Sequence, residues 1–270
     1  MRLVRARSCG LLLPVLLASA GCATAPRHEV WGAGVTPTPG WARVGAAASS
    51  AVLAPQTWAP VAVALMLQID DLDARLSDWA SEETPLFGSQ ADASRASDRL
   101  QTATEVAWVL TALATPSGDE AGEWLIHKAQ GMAVGLVARG LTYETVRFLK
   151  LETDRQRPDG SDDMSFPSGH AASASVYASL AARYTQSLRA PARVRTMLQL
   201  ADGAAAAACA WARVEGHHHY PSDVLVGLAL GHFFAAFVDG AFMGGAPSEH
   251  VQLHAGGRPG GAAIWLRLEF

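Results

Sequence analysis

Three short polar stretches, KLETDRQRP at 150–158, PSGH at 167–170 and RVEGHHHYPSD at 213–223, stand out from a sequence otherwise rich in alanine and apolar residues. Their cations include Lys150, Arg157 and Arg213, although the chain carries a net charge of −4. If the fold brings these cations together, they form a pocket for a dianion, because guanidinium groups bind phosphate oxygens in pairs. The three stretches therefore predict a site for a phosphate-sized anion.

The second stretch precedes an apolar, alanine-rich run that we expect to be helical. Ser168 belongs to the residue types that cap helix N-termini. The N–H groups of Gly169 and His170 would then face a bound anion, and the helix dipole would strengthen the attraction. Glycine at this position lets the backbone approach the anion closely.

The third stretch has spacing suited to acid–base or nucleophilic chemistry. His219 and Asp223 are four positions apart, one turn of a helix that we expect to begin near Pro221. At that spacing the carboxylate can hold one imidazole nitrogen and leave the other as a base or nucleophile. His217 and His218 point in other directions, so we expect them to line the pocket mouth and expect no metal at the site.

The ordered set resembles the signature of the type 2 phosphatidic acid phosphatase and vanadium haloperoxidase superfamily, which is K-x6-RP, PSGH and SR-x5-H-x3-D. The first two parts match fully, and the third departs at Ala212, where the family has a serine. The resemblance implies an all-α helical bundle. It also implies a metal-independent phosphatase that hydrolyses phosphate monoesters or pyrophosphates through a phosphohistidine, without a cofactor.

The resemblance also implies roles for individual residues. His219 would be the nucleophile, Asp223 its orienting partner, and His170 the general acid that protonates the leaving oxygen. Donors placed in advance around a developing charge are usually the largest catalytic contribution. The phosphate-binding donors implied here are Lys150, Arg157, Ser168, Gly169 and Arg213.

Two alternatives stay open from the sequence. A vanadate-dependent haloperoxidase would hold vanadate with the same residues, although such haloperoxidases are typically much larger chains. A non-catalytic phosphate-binding lipoprotein of the envelope would need only the cations, whereas this chain keeps both histidines and Asp223. The partner we expect is a phosphorylated lipid or a small phosphate ester, and no nucleic acid.

The first 22 residues predict a secretory signal of the lipoprotein type. A basic start and a short apolar run at 11–18 are followed by SAGC at 19–22. The run is too short to span a membrane. Cys22 is the expected lipidation site, and ordinary cleavage after Ala20 is the alternative. We therefore expect an envelope protein on the periplasmic side, with Ala23 favouring the outer membrane.

We expect four segments, namely the signal at 1–22, a proline- and glycine-rich tether at 23–42, a helical phosphatase domain at 43–243 and a tail at 244–270. Alternating apolar residues in the tail predict a short β-hairpin on the helical body. Trp31 and Trp41 either pin the tether to the body or belong to a solvated linker. The apolar stretch 224–237 is shorter than the roughly 20 residues of a membrane span, so we expect the lipid to anchor the domain.

Within the domain, the pattern predicts successive helices and a polar loop. The helices are expected at Trp58–Trp79, Ala91–Ala114, Asp119–Leu149 with Ser117 as cap, Ser168–Ser187, Pro191–Val214 and Pro221–Phe237. Asp70, Asp71 and Asp73 are interpreted as a solvated helix face rather than a metal cluster. Cys209, in a run of alanines, is expected to be a buried small hydrophobe.

Overall fold

The computed structural model describes residues 30–243, 251–258 and 261–268. Within that part of the chain, eight α-helices form the body, and short 3₁₀ turns occupy Ile69–Asp71 and Thr185–Ser187. The helices are α1 (Trp41–Leu53), α2 (Pro55–Met66), α3 (Leu72–Glu83), α4 (Gln90–Ala114), α5 (Ala121–Thr153), α6 (Gly169–Tyr184), α7 (Ala192–Glu215) and α8 (Pro221–Phe242). The all-α class predicted from the sequence is confirmed for this body.

Two strands follow the helices, β1 (Val251–Arg258) and β2 (Gly261–Leu268), and pair antiparallel with Val251 opposite Leu268. Their side chains lie outside the part of the chain that the structure describes. The packing of a C-terminal hairpin on the helical body therefore stays a prediction. The signal segment and Cys22 also lie outside the described residues, and the segment boundaries remain predictions.

Helix α6 lies at the centre, with α4, α5, α7 and α8 packed around it. Small residues on both partners allow α6 and α8 to approach closely. A Cβ on Gly231 of α8 would lie 2.3 Å from the carbonyl oxygen of Ala172 and 2.7 Å from the amide nitrogen of Val176, both in α6. The small residues thus allow a short distance between the axes of α6 and α8. They also bring the polar N-terminal ends of these helices, which contribute to the site, close together.

The two tryptophans near the start of the described chain differ in burial. Trp31 is 5% exposed and packs edge-on against Tyr184, with ring centroids 4.9 Å apart. Trp41, the first residue of α1, is 89% exposed. Trp31 therefore pins this segment to the helical body, and Trp41 does not.

Several helix ends differ from the sequence-based expectation. Helix α5 has Glu120 at its N-cap position, and the hydroxyl of Ser117 is buried without a partner among the described residues, so the predicted Ser117 cap is wrong. The same helix continues beyond Leu149, which places Lys150 in its last turn. Cys209 is fully buried, as predicted.

Helix α8 is the one described helix long and apolar enough to cross a membrane, with a mean hydropathy of 1.8 over its best window. It runs to Phe242 and is therefore longer than the 14-residue apolar stretch counted at 224–237. About half of its residues pack against α1, α2, α5 and α6. A buried core helix of a soluble protein has the same length and composition, so these properties alone do not make α8 a membrane span.

Candidate active site

The predicted site residues meet at one end of the bundle. Lys150 comes from the last turn of α5, Arg157 from the loop after it, and Arg213 from the last turn of α7. Ser168, Gly169 and His170 form the start of α6, whereas Asp223 lies in the first turn of α8. The N–H of Ser168 donates to the carbonyl oxygen of Asp223 at 3.0 Å, which ties the starts of α6 and α8 together.

His219 lies in the turn before α8 and is 2% exposed. Its Nδ1 lies 2.7 Å from the carbonyl oxygen of Ser165. A carbonyl only accepts hydrogen bonds, so Nδ1 carries the proton and Nε2 is the unprotonated nitrogen. Burial, and then the nearby cations Arg213 and Lys150, lower the pKa of His219 to about 4 despite the raising effect of Asp223. The imidazole is therefore neutral above that pH.

The carboxylate of Asp223 does not hold His219 in the way that the four-residue spacing predicts. Its Oδ2 lies 3.8 Å from Nδ1 of His219, too far for a direct hydrogen bond. His219 precedes α8 instead of lying on it, so the helical spacing does not apply. The carbonyl of Ser165 takes the direct bond, and Asp223 contributes its charge at a longer distance.

Asp223 is completely buried and strongly bonded. Its Oδ2 accepts hydrogen bonds from the Ser165 hydroxyl at 2.5 Å and from the Tyr220 N–H at 2.9 Å. Its Oδ1 accepts one from Nη1 of Arg155 at 2.6 Å. Burial raises the pKa of Asp223, but His219, Arg155 and Ser165 together outweigh burial and hold that pKa below its usual value.

Arg157 faces His219 directly. Its Nη1 lies 3.4 Å from Nε2 of His219 and donates to the carbonyl oxygen of His218 at 3.2 Å. Its Nε donates to Asp162 at 2.6 Å, and this carboxylate fixes the guanidinium plane. Asp162, in the acidic loop after α5, thus holds one of the site's cations in place.

Lys150 and Arg213 are the other two cations of the site. The ammonium of Lys150 donates to the carbonyl oxygen of Met164, and burial followed by repulsion from Arg157 lowers its pKa to about 8. Arg213 is buried, and burial followed by Arg157 lowers its pKa as well. Its Nη1 donates to the Ser97 hydroxyl at 3.3 Å, and its Nε has no partner among the described residues. Cations that repel one another in this way favour an anion between them.

The start of α6 has the predicted geometry. Ser168 is the N-cap residue, and its Oγ accepts the N–H of Ala171 at 3.4 Å. Helix α6 begins at Gly169, so the amide groups of Gly169 and His170 belong to the helix N-terminus, where anions are favoured. The predicted N-cap is confirmed.

His170 has a partner that the sequence analysis missed. Its Nε2 lies 2.9 Å from Oδ1 of Asp98, which belongs to α4 and lies outside the three polar stretches. A carboxylate only accepts hydrogen bonds here, so Nε2 carries a proton and Nδ1 is the nitrogen left for another group. Burial, and then Arg213, lower the pKa of His170, while Asp98 raises it in part.

The neighbouring histidines point in different directions. His218 is bonded on both sides, with Nε2 at 2.8 Å from the Ser94 hydroxyl and Nδ1 at 3.0 Å from Asp159. The Nε2 of His217 lies 3.6 Å from a carboxylate oxygen of Asp78. His217 has φ 57°, a left-handed conformation that turns the chain between α7 and His219.

Two buried acidic residues also support the site. Asp73 is 4% exposed and accepts the N–H of Ser222 at 2.8 Å, so the interpretation of 70–73 as a solvated face is wrong for Asp73. Asp70 and Asp71 are exposed, as expected. Glu215 is fully buried and accepts the N–H groups of Leu86 and Phe87, both at 3.0 Å, which fixes the end of α7 next to Arg213.

A sequence model of the PAP2 superfamily matches residues 143–241, a range that includes all three motif stretches. Over this range the chain is similar to the PAP2 superfamily. Its structure is similar to the crystal structure of a transmembrane PAP2-type phosphatidylglycerolphosphate phosphatase from Bacillus subtilis. That similarity has a TM-score of 0.51 at 19% identity, and it covers 69% of this chain and 96% of the other. No curated protein matches the sequence.

At this level of identity the solved structure establishes the fold. The PAP2 match covers the end of α5, all of α6 and α7 and most of α8. Helices α1–α4 lie outside the matched range, yet α3 and α4 supply Asp73 and Asp98, the partners of the motif region. Residues outside the signature therefore contact and hold the residues of the PAP2 signature in this chain.

Proposed function

We propose that this protein is a phosphatase that transfers the phosphoryl group of a monoester or pyrophosphate first to His219 and then to water. The observation that carries the proposal is the unprotonated Nε2 of His219, which accepts a hydrogen bond from Nη1 of Arg157 at 3.4 Å. A neutral imidazole with its lone pair among cations is the form that a nucleophile toward phosphorus requires. The match of residues 143–241 to the PAP2 superfamily supports phosphatase activity as a class.

In the first step, Nε2 of His219 attacks phosphorus and the bond from phosphorus to the leaving oxygen breaks. The leaving oxygen takes a proton from Nδ1 of protonated His170, whose Nε2–H is donated to Asp98. His219 keeps its Nδ1 proton on the carbonyl of Ser165. The positive charge that develops on its ring is stabilised by the buried Asp223 carboxylate.

In the second step, neutral His170 accepts a proton from water through Nδ1, and the water oxygen attacks phosphorus. The bond between Nε2 and phosphorus breaks, phosphate leaves, and both histidines return to their starting states. Lys150, Arg157, Arg213 and the amide groups at the start of α6 stabilise the charge on the phosphoryl oxygens in both steps. Since these cations supply the positive charge, the proposed mechanism needs no metal or other cofactor.

The surroundings of Lys150 favour a substrate with an apolar portion. Leu151 follows it on α5, and the backbone carbonyl of Met164 accepts a hydrogen bond from its ammonium group. The side chains of Leu151, Met164 and Phe148 are exposed. We therefore favour a phosphorylated lipid over a small ester as substrate. The similarity to a transmembrane phosphatase and the apolar α8 support membrane association, and we assign the anchoring to lipid on Cys22 at the periplasmic side of the outer membrane.

The test is phosphate release from p-nitrophenyl phosphate and from a short-chain phosphatidic acid, in EDTA, with wild type and His219→Ala. We expect EDTA-resistant release in the wild type. In His219→Ala we expect a loss of at least a thousandfold, because removal of a catalytic nucleophile costs about 10⁶ in well-studied hydrolases.

Inorganic phosphate binding, measured by calorimetry on both proteins, provides the control. Retained binding in folded His219→Ala would separate loss of chemistry from loss of the pocket. If the wild-type protein binds phosphate but releases no phosphate from either ester, the proposed phosphatase activity is contradicted. Vanadate-dependent halide oxidation by the same protein would then identify a peroxidase.

A further inference from the structure

Arg155 is an arginine of the site loop that does not face the phosphate pocket. It lies between Lys150 and Arg157 in the sequence, but its guanidinium turns toward the base of α8. Nη1 donates to the Ser222 hydroxyl at 2.8 Å and to Oδ1 of Asp223 at 2.6 Å. Nη2 donates to Oδ2 of Asp73 at 2.8 Å. These contacts make Arg155 a bridge between two buried carboxylates.

The guanidinium is fixed from three directions. Asp73, in the first turn of α3, accepts the N–H of Ser222 through Oδ1 at 2.8 Å and the Ser222 hydroxyl through Oδ2. The ring of Tyr220 lies against the guanidinium face, with 4.2 Å between the ring centroid and Cζ. A planar guanidinium that bridges two carboxylates and stacks on an aromatic ring has little rotational freedom.

Arg155 reaches His219 by two routes. Its side chain bonds Asp223, whose carboxylate lies 3.8 Å from Nδ1 of His219. Its backbone carbonyl accepts the N–H of Ser165 at 2.9 Å, and the carbonyl of Ser165 accepts Nδ1–H of His219 at 2.7 Å. The Ser165 hydroxyl closes the ring of contacts by donating to Asp223 at 2.5 Å.

We propose that Arg155, held by Asp73, is a positioning residue that fixes the Asp223 carboxylate and the Ser165 carbonyl, and through them the nucleophile His219. This inference rests on the proposed function, since it assigns His219 to the attack on phosphorus. Arg155 itself touches no reacting atom. Asp73 acts one step further away and connects α3, a helix outside the PAP2 match, to the nucleophile.

The charge of Arg155 has a consequence for the pH dependence of activity. Groups that face the His219–Asp223 pair come from several elements: Lys150, Arg155, Arg157, Arg213, Asp73 and Tyr220. Arg155 is the cation bonded to Asp223, and it lowers the pKa of that carboxyl. Without it, the first proton binds to the His219–Asp223 pair at a higher pH, whichever of the two groups takes it. Activity is then lost at a higher pH on the acidic side.

The experiment compares Arg155→Gln, Arg155→Lys and Asp73→Asn with wild type in kcat, KM and the pH profile of kcat/KM. We expect Arg155→Gln to lower kcat about tenfold or more with little change in KM, because misplacement of a reacting group is costly. Its acidic limb should move up by about one pH unit. Arg155→Lys should return the limb to the wild-type position, since the charge is kept, but restore kcat only in part, since the bridge is lost.

Asp73→Asn separates charge from position. It keeps an oxygen for the Ser222 N–H and removes an anion next to Arg155. We expect kcat to fall while the acidic limb stays or moves to lower pH, because the charge of Arg155 then acts on Asp223 more strongly. The matched control is Arg147→Gln, which removes an exposed ion pair with Glu144 on α5 and should leave the profile unchanged.

Histidine NMR makes the result independent of turnover, with the His219 resonance assigned by its loss in His219→Ala. A raised pKa of His219 in Arg155→Gln, in a protein without phosphatase activity, would overturn the proposed function and leave the positioning role standing. Active, folded Arg155→Gln and Arg155→Lys with wild-type limbs and kcat, and only a lower melting temperature, would overturn the positioning role. If Arg155→Gln does not fold, kcat and the position of the acidic limb of the pH profile in Arg155→Lys and Asp73→Asn test the positioning role.

Discussion

The two histidines of the site lie in different surroundings. His219 is 2% exposed and is bonded to a backbone carbonyl inside a network of buried charges. The side chain of His170 is 34% exposed, and its partner Asp98 has a side chain that is 66% exposed. The proposed nucleophile is thus held by the helical bundle, whereas the proposed general acid lies at the solvent-facing rim.

This contrast indicates what each region can tolerate. The network of buried charges around His219 comes from the loop after α5 and from the starts of α3 and α8, and a change in any of its members disturbs the others. The partner of His170 comes from the exposed face of α4 and forms one hydrogen bond. We infer that the leaving-group side can change between substrates while the phosphate side cannot.

His170→Ala gives the largest effect that distinguishes the two sides. For an alkyl phosphate we expect kcat/KM to fall about 10²–10⁴-fold, the usual contribution of a general acid. For p-nitrophenyl phosphate we expect a much smaller loss, because p-nitrophenolate leaves without a proton. Steady-state kinetics on the two esters measures the difference. His219→Ala should reduce kcat/KM for both esters alike. Equal losses of kcat/KM for the two esters in His170→Ala would contradict the role of His170 as the general acid.

The pH profile gives a second, smaller distinction. Activity requires neutral His219 and protonated His170. The pKa of His219 is about 4, so its imidazole is neutral above that pH, and the pKa of His170 lies below the usual 6.5. We therefore expect a bell-shaped kcat/KM profile between these limits in the free enzyme. Asp98→Asn removes a contact that raises the pKa of His170, so the alkaline limb should move down by about one unit or less.

Asp92→Asn is the control for this shift. Asp92 lies on the same helix, exposed, and bonds Arg95 and Ser89 away from the site. Its replacement should leave both limbs in place. An alkaline limb that stays fixed in Asp98→Asn, or moves equally in Asp92→Asn, would show that Asp98 does not set the ionisation of His170.

The motif residues were predictable because their roles depend on short spacing. Ser168 caps the helix that follows it, and Lys150, Arg157 and Arg213 converge as the ordered motifs predict. The supporting residues were not predictable in this way. Asp98 is 72 positions from His170, and Asp73 is 82 positions from Arg155. In the sequence alone, a single carboxylate on a helix is indistinguishable from a solvated residue. Its cation or imidazole partner becomes apparent only in the tertiary structure.

Helix geometry explains the remaining differences. The spacing of His219 and Asp223 predicts a direct bond only if both lie on one helix, and α8 begins after His219. The α5 cap was misplaced because Ser117 fits a capping pattern but is buried elsewhere. The individual helices followed from periodicity and the all-α bundle from the resemblance to the superfamily, whereas the central position of α6 depends on which small residues face each other.

The smallest effect on turnover is expected from a pair of glycine substitutions that test that central packing. Gly203→Ala on α7 meets no atom within 4 Å, and it should stabilise the protein by about 0.4–1 kcal/mol. Gly231→Ala on α8 meets the α6 backbone at 2.3 Å, so α6 must shift and stability should fall by roughly 1–3 kcal/mol. Because α6 carries Ser168 and His170, phosphate affinity should weaken a few-fold in Gly231→Ala alone. Thermal unfolding and phosphate calorimetry measure both quantities, and equal stability of the two variants would mean that α6 and α8 are not held in close contact.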